Sequence, residues 1–441
     1  MSEKLQTTEM ISHAVIAQLR WSRTSHEDRK QVVRRFAEYV ATHRETLTNL
    51  IMDEVGKLRT DASSEVAAVI AKAEITIEMM DARRADRDDE SSAFVSQLRY
   101  RPLGVVIVLG PFNFPAHLPG GHIIPALLAG NSVVFKPSEL APRVGQWIGD
   151  AWQEAGLPTG VLQVIQGTAA VAKALIDDQQ IAAVFFTGGY HAGLSIHRQL
   201  AGRPEVLLAL EMGGNNPLVL LPPYDLSEAV KIIATSAFAS SGQRCTCTRR
   251  LILIDDESSQ AIITQLVDHV TNMSCGLPHD TPEVAIGPVI SAKAAERLLN
   301  VQERWLKSGG TPLVQMKRSP RVDALVTPGI IDMTECNNIA DDEWFGPLLQ
   351  VYRVGDFADA IERANATAYG LAAGLIGGSE VDFEEFRRSV KAGIVNWNTS
   401  TTGASSKLPF GGLGWSGNHR AAGAFAIDFC NDPIASLMKN P

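Results

Sequence analysis

The apolar and polar positions divide the chain into two textures. Over roughly the first 85 residues, apolar side chains recur at helical spacing among charges, as in Val32, Val33, Phe36 and Val40. That is the one-sided stripe of an amphipathic helix. Ser25 followed by Asp28 supplies an N-cap pattern where this segment begins. Thr60 to Arg83 continues in the same manner, and Asp86 to Glu90 reads as a polar break.

From Arg99 onward, short apolar runs alternate with helical stretches. Gly104 to Leu109, Ser132 to Phe135, Val161 to Ile165, Ala183 to Phe186 and Val206 to Leu210 are continuous in hydrophobicity, as strands buried on both faces are. Ala141 to Ala155 and Ala169 to Asp177 are the helical stretches between them. A second series follows Glu211, with strands expected at Leu218–Leu221, Leu251–Ile254, Leu349–Tyr352, Gly374–Ile376 and Gly393–Asn396. This alternation predicts an α/β fold with two doubly wound parallel sheets meeting near Glu211. Ligands are then expected where sheets present their carboxyl ends and where the two units face each other.

Composition narrows the function classes. The chain has 441 residues, enough for two or three packed domains. Lys plus Arg is 40 against 49 for Asp plus Glu, a net charge of -9, so no broad basic field marks a nucleic-acid binder. The longest apolar runs are too short or too broken to span a bilayer, and no membrane partner is expected. Five scattered cysteines argue for a reducing compartment rather than a disulfide framework. With no readable secretory signal after Met1, a cytoplasmic protein is expected.

Three side chains suggest chemistry. Cys245 lies in a small, polar stretch with Arg244 and Arg249 close in sequence, and neighbouring positive charge favours a reactive thiolate. A buried structural thiol is the alternative. No second cysteine pair or nearby histidine completes a metal site around Cys245-Thr-Cys247, so no metal is expected. Glu211 ends an apolar strand ahead of Gly213-Gly214, where a partly buried carboxylate can act as a general base; a structural ion pair is the other reading. Asn113, in the Pro-bracketed turn Gly110 to Pro115, can donate to an oxyanion or simply serve its turn.

Seven motifs in matching order resemble the aldehyde dehydrogenase superfamily over almost the whole chain. They are Gly110–Pro115, Lys136–Glu139, Phe186–Gly193, Glu211–Pro217, Gly242–Cys245, Glu343–Pro347 and Pro409–Gly412. One branch, acting on a semialdehyde with distal carboxylates, is especially similar at His122, Asn215, the pair Cys245 and Cys247, and Gly417-Asn-His-Arg420. The resemblance implies Cys245 as nucleophile, Asn113 as oxyanion donor and Glu211 as the base for hydrolysis. It implies NAD as cofactor, held by Lys136 and Glu139 at the adenosine ribose, Thr187, Gly188, Gly189 and Gly193 at the pyrophosphate turn, and Glu343 and Phe345 at the nicotinamide end. The family usually carries Ser where this chain has Gly189. Arg244 and His117 are candidates for the substrate's distal groups, with a structural acid as the other partner for Arg244.

The implied architecture is a Rossmann-like cofactor domain over residues 1–210, a catalytic domain over 211–408 and a return to the cofactor domain over 409–441. A small oligomerisation sheet, from strands near 88–102 and within Phe425 to Leu437, implies a homodimer or a dimer of dimers. The family usually opens with a β-rich segment, whereas here the first helix is expected around Glu9. The expected substrate is a small-molecule aldehyde. Oxidation of another aldehyde, or a silent family member retained for binding, are the rival readings.

Overall fold

The computed structural model describes residues 3–91, 93–337 and 339–439. Four helices come first: α1 (Glu3–Trp21), α2 (His26–Thr42), α3 (Arg44–Val55) and α4 (Arg59–Arg83). Ser25 caps α2 by accepting from the Asp28 amide, and the Val32, Val33, Phe36, Val40 stripe is buried. Phe36 stacks on Trp152 with centroids 4.0 Å apart, fixing α2 against a later helix.

The segment read as a polar break is instead a strand, β1 (Arg87–Glu90), paired with β2 (Phe94–Pro102). All four β1 residues are exposed, so no apolar alternation betrayed it. A parallel sheet follows from β3 (Val105–Leu109), β4 (Ser132–Lys136), β5 (Leu162–Val164), β6 (Ile181–Gly188) and β7 (Leu207–Met212), in the order β5-β4-β3-β6-β7. Between these strands run α5 (His117–Leu128), α6 (Pro142–Glu154), α7 (Ala169–Asp177) and α8 (Tyr190–Leu200). Strand side chains alternate between two cores: Val106 and Val108 face one helical layer, Ile107 and Leu109 the other. That two-sided burial explains their continuous hydrophobicity.

The chain passes to the second sheet between Met212 and Asn216. Its strands are β8 (Asn216–Leu221), β9 (Thr248–Ile254), β10 (Thr311–Val314), β11 (Gly329–Asp332), β12 (Leu348–Val354), β14 (Ala372–Gly377) and β15 (Ile394–Trp397), ordered β10-β11-β12-β9-β8-β14-β15. Only β10 runs antiparallel. The sequence reading missed β10 and β11, an edge strand and its neighbour. Helices α9 (Leu226–Phe238), α10 (Glu257–Thr271), α11 (Ala292–Lys307), α12 (Phe357–Asn365) and α13 (Glu380–Ser389) complete this unit.

Near the C-terminus, β16 (Pro409–Phe410) pairs with β18 (Ala422–Gly423), and β17 (Leu413–Gly414) with β13 (Tyr369–Gly370). The last strand, β19 (Asn431–Lys439), pairs antiparallel with β2, beginning later than the expected Phe425 because Ala426–Phe429 forms a 3-10 turn. Among the described residues, no helix is long and apolar enough to cross a membrane, and no cluster of His, Cys, Asp and Glu could hold a metal ion.

Candidate active site

Strands β3 and β6 lie side by side, but the chain leaves them in opposite directions across the sheet. Their carboxyl ends therefore open a crevice at the topological switch point. A cavity of about 1290 Å³ occupies it, lined by Asn113 after β3, Lys136 at the end of β4 and Glu139 beyond it, Thr187 and Gly188 at the end of β6 and Gly189 beyond it, and Glu211 near the end of β7. Cys245, Glu343 and Phe345 close it from the other unit. The structure thus gathers residues spread over more than half the chain. The carboxyl-end expectation holds for the first sheet only, because Cys245 sits just ahead of the amino end of β9.

The loop carrying Cys245 is held in an unusual conformation. Ser240, Ser241 and Gly242 have φ of 51°, 56° and 70°, the left-handed region that side chains adopt at a cost. The Ser241 hydroxyl fixes it, donating to Gly287 O at 2.8 Å and accepting from the Gly287 amide at 3.0 Å. The Asn216 side-chain amide donates to the carbonyls of Cys245 (2.7 Å) and Cys247 (2.8 Å). Asn113 is buried and donates to Gln243 O at 3.0 Å. One N–H of its amide is thereby oriented towards the nucleophile loop, while a side-chain amide has a second to give.

The electrostatics run against the simplest expectation. Burial, and then the Glu211 and Glu343 carboxyls, push the Cys245 thiol well above its ordinary range, and Arg249 only partly offsets them. Arg249 is buried, its guanidinium donating to Gly346 O and Arg244 O. Glu211 is raised to about 8 by burial and by Glu343, opposed by a hydrogen bond with Cys245. Glu343 is raised to about 7 by burial, against the pull of Arg249 and the Gly214 amide. Near neutral pH the thiol and the base are therefore both held largely protonated. Cys245 and Glu211 line the same cavity, and the buried Glu211 Oε1 has no hydrogen-bond partner among the described residues.

Several residues contribute through contacts that their sequence motifs did not reveal. Residues 416–418 lie along the exposed side of β7. Asn418 donates to Leu208 O at 3.0 Å and accepts from the Leu210 amide at 2.7 Å, while the Met212 amide donates to Ser416 O at 3.0 Å. A side chain at Gly417 would meet Leu210 O at 2.2 Å. Glu211 is thus locked from behind by a segment more than 200 residues away. Asn216 sits inside the Glu211–Pro217 motif and Ser241 just ahead of Gly242–Cys245, but their bonds that hold the Cys245 loop join residues far apart in sequence.

Three expected residues stand elsewhere. Gly193 lies within α8, not at its entry, where a Cβ would be 2.3 Å from Met212 Sδ; it lets the helix pack against the sheet. Arg244 is bound to Asp61 at 2.7 Å, with Nε on Ser240 Oγ at 2.9 Å, so the structural acid, rather than a free guanidinium awaiting substrate, describes it. The His117 ring is pushed down to about 3, first by burial and then by Lys72 and Lys57, so it is neutral and offers no charge to a carboxylate.

The residues fit a nicotinamide dinucleotide. Gly189, the N-cap residue of α8, makes no side-chain cap, which leaves first-turn amides for phosphate oxygens. No atom lies within 4 Å of where its Cβ would be. Lys136 and Glu139 line the same cavity.

A thiol, an amide donor and a buried carboxyl lining one crevice with residues that fit a nicotinamide dinucleotide define an oxidoreductase. The chain belongs to the aldehyde dehydrogenase family, whose model matches residues 1–433, and the family uses NAD(P). It is 47% identical over 418 residues to an N-succinylglutamate 5-semialdehyde dehydrogenase of Burkholderia ambifaria, covering 95% of this chain and 86% of the relative. The enzyme of that name from Paraburkholderia xenovorans is 46% identical, with the same coverage. Among solved structures, an NADP-dependent enzyme of E. coli superposes with a TM-score of 0.93 at 27% identity, covering 99% of this chain and 91% of that one.

Proposed function

We propose that the chain oxidises N-succinyl-L-glutamate 5-semialdehyde to N-succinyl-L-glutamate in arginine breakdown, with NAD as cofactor. The observation that supports the chemistry is that Cys245, Glu211 and Asn113 line one cavity. The substrate assignment rests on the similarity to the Burkholderia and Paraburkholderia enzymes.

The ionised fraction of Glu211 takes the Cys245 proton, and the thiolate adds to the aldehyde carbon. The Asn113 amide and the Cys245 backbone N–H hold the resulting oxyanion. A nicotinamide ring held by the residues named below would supply the hydride acceptor, and loss of hydride from the adduct leaves a thioester on Cys245. Glu211, having passed the thiol proton on to solvent, then takes a proton from the water that attacks this thioester, and the carbon–sulfur bond breaks to release the acid and return the Cys245 thiolate. The unpartnered Glu211 Oε1 supports that role. A hydrolytic base favours release to water over transfer to a thiol carrier.

Lys136 and Glu139 would hold the adenosine ribose, Thr187, Gly188 and Gly189 the pyrophosphate end, and Glu343 and Phe345 the nicotinamide end. A carboxylate at the ribose repels a 2′-phosphate, which supports NAD over NADP. Lys173 and Arg198 also line the cavity and oppose that repulsion, so the two cofactors need direct comparison. Residues 1–210, 211–408 and 409–441 serve as cofactor unit, catalytic unit and return segment. The five free cysteines suit a reducing compartment such as the cytoplasm.

The test compares kcat/KM for NADH formation from N-succinylglutamate semialdehyde and from unsuccinylated glutamate semialdehyde. A large preference for the succinylated aldehyde is expected. Equal efficiency would sink the substrate assignment.

A further inference from the structure

Helix α4 touches neither cofactor crevice nor nucleophile, yet two acids one turn apart on it reach both halves of the active site. Glu65 is fully buried. Its Oε1 accepts from the amides of Ala116 (2.9 Å) and His117 (3.1 Å), at the start of α5 and the end of the Asn113 turn. Its Oε2 meets Lys57 Nζ at 2.6 Å, in an ion pair with side chains only 5% and 0% exposed. Lys57 Nζ in turn sits 3.3 Å from the centroid of the Phe114 ring. Asp61 meets Arg244 at 2.7 Å, and Arg244 lies 5.4 Å from the same ring. Phe114, next to Asn113, thus contacts two cations, each paired with an acid presented by α4.

We propose that α4 fixes the separation between Asn113 and Cys245, with Glu65 and Asp61 as positioning residues that act through the oxyanion turn and the nucleophile loop. The inference rests on the roles given above to Asn113 and Cys245. Glu65 satisfies helix-terminal amides and carries a negative charge where the α5 dipole favours one. Breaking one side of a buried pair leaves the other charge uncompensated, so the turn must shift to accommodate it. Displacement of a donor by a fraction of an ångström is felt in the transition state more than in substrate binding.

The experiment is a double-mutant cycle on the full-length enzyme, measuring kcat and KM with NAD and with either N-succinylglutamate semialdehyde or butanal. Glu65→Gln is expected to lower kcat about 10- to 100-fold, with KM changed by less than about twofold. In an Asn113→Ala background it should change kcat by less than about twofold, because the donor it positions is already gone. The same factor in both backgrounds, or a rise in KM with kcat intact, would overturn the proposal. An Asn113→Ala enzyme with unchanged kcat would overturn the oxyanion reading and the proposal together, whereas a loss of substrate preference alone touches neither. Should Glu65→Gln fail to fold, the more exposed Asp61→Asn provides the second arm. It is expected to lower kcat in the wild-type background and not in an Arg244→Met background, and equal losses in both would overturn the role of Asp61.

Discussion

Two buried carboxyls beside one thiol cannot all ionise together without charge to offset them. Arg249 is the cation that lowers both the Cys245 thiol and the Glu343 carboxyl, and it does not cancel the burial penalty. Glu211 therefore rises from an ordinary 4.5 to about 8. Between those values the folded chain keeps a proton that the unfolded chain has lost, so this group's contribution to stability is complete below 4.5 and lost as pH climbs through 8. Glu211→Gln removes the titration while still accepting a hydrogen bond. Its melting temperature is expected to exceed the wild type's at pH 8, by an effect on the order of a few kcal/mol, with the gap closing by pH 5. A gap independent of pH would refute the raised pKa. At the same scale, Asn113→Ala is expected to cost about 100-fold or more in kcat, and thermal melts should show that the loss is not one of folding.

At the scale of elements, the nucleophile loop is where local sequence and distant structure conflict. Neither Ser240 nor Ser241 prefers the left-handed region, and both adopt it because Gly287 and Arg244 bind their hydroxyls. Gly242 has no such latitude: a Cβ there would lie 2.1 Å from Gly346 O. Gly242→Ala is expected to destabilise the fold by about 1–3 kcal/mol from backbone strain alone and to slow alkylation of Cys245 by iodoacetamide. Unchanged alkylation with a normal melt would show that the loop is not under this constraint. The strands and the family's motifs were legible because their signals are local: two-sided burial writes continuous apolar runs, and Cys245, Glu211 and Asn113 each sit in a short recognisable string. What was not legible depends on long separations. Arg244 is 183 residues from Asp61, and Asn418 is 208 from Leu210. β1, exposed throughout, wrote no pattern at all.

At the scale of the whole molecule, the three-stranded sheet β1-β2-β19 stands apart from both parallel sheets and carries uncovered apolar side chains. Phe94, Ile434, Leu437 and Met438 are 41%, 37%, 68% and 44% exposed, all on its two long strands. Among the described residues β19 also forms an edge whose far side has no strand beside it, an arrangement that isolated chains usually blunt with charge or cover. Burying a Leu side chain contributes about 1.5–3 kcal/mol, so a second copy lying against this sheet would gain from several such residues at once. We propose a homodimer or dimer of dimers formed through the sheet; Cys245, Glu211 and the cavity lining given above lie on one chain. Leu437→Lys combined with Met438→Lys is therefore expected to shift the sedimentation coefficient towards that of the 47.6 kDa chain without altering the alkylation rate of Cys245. Retention of the assembly in that variant would move the interface elsewhere. Dissociation with loss of Cys245 reactivity would mean that the partner supports the site.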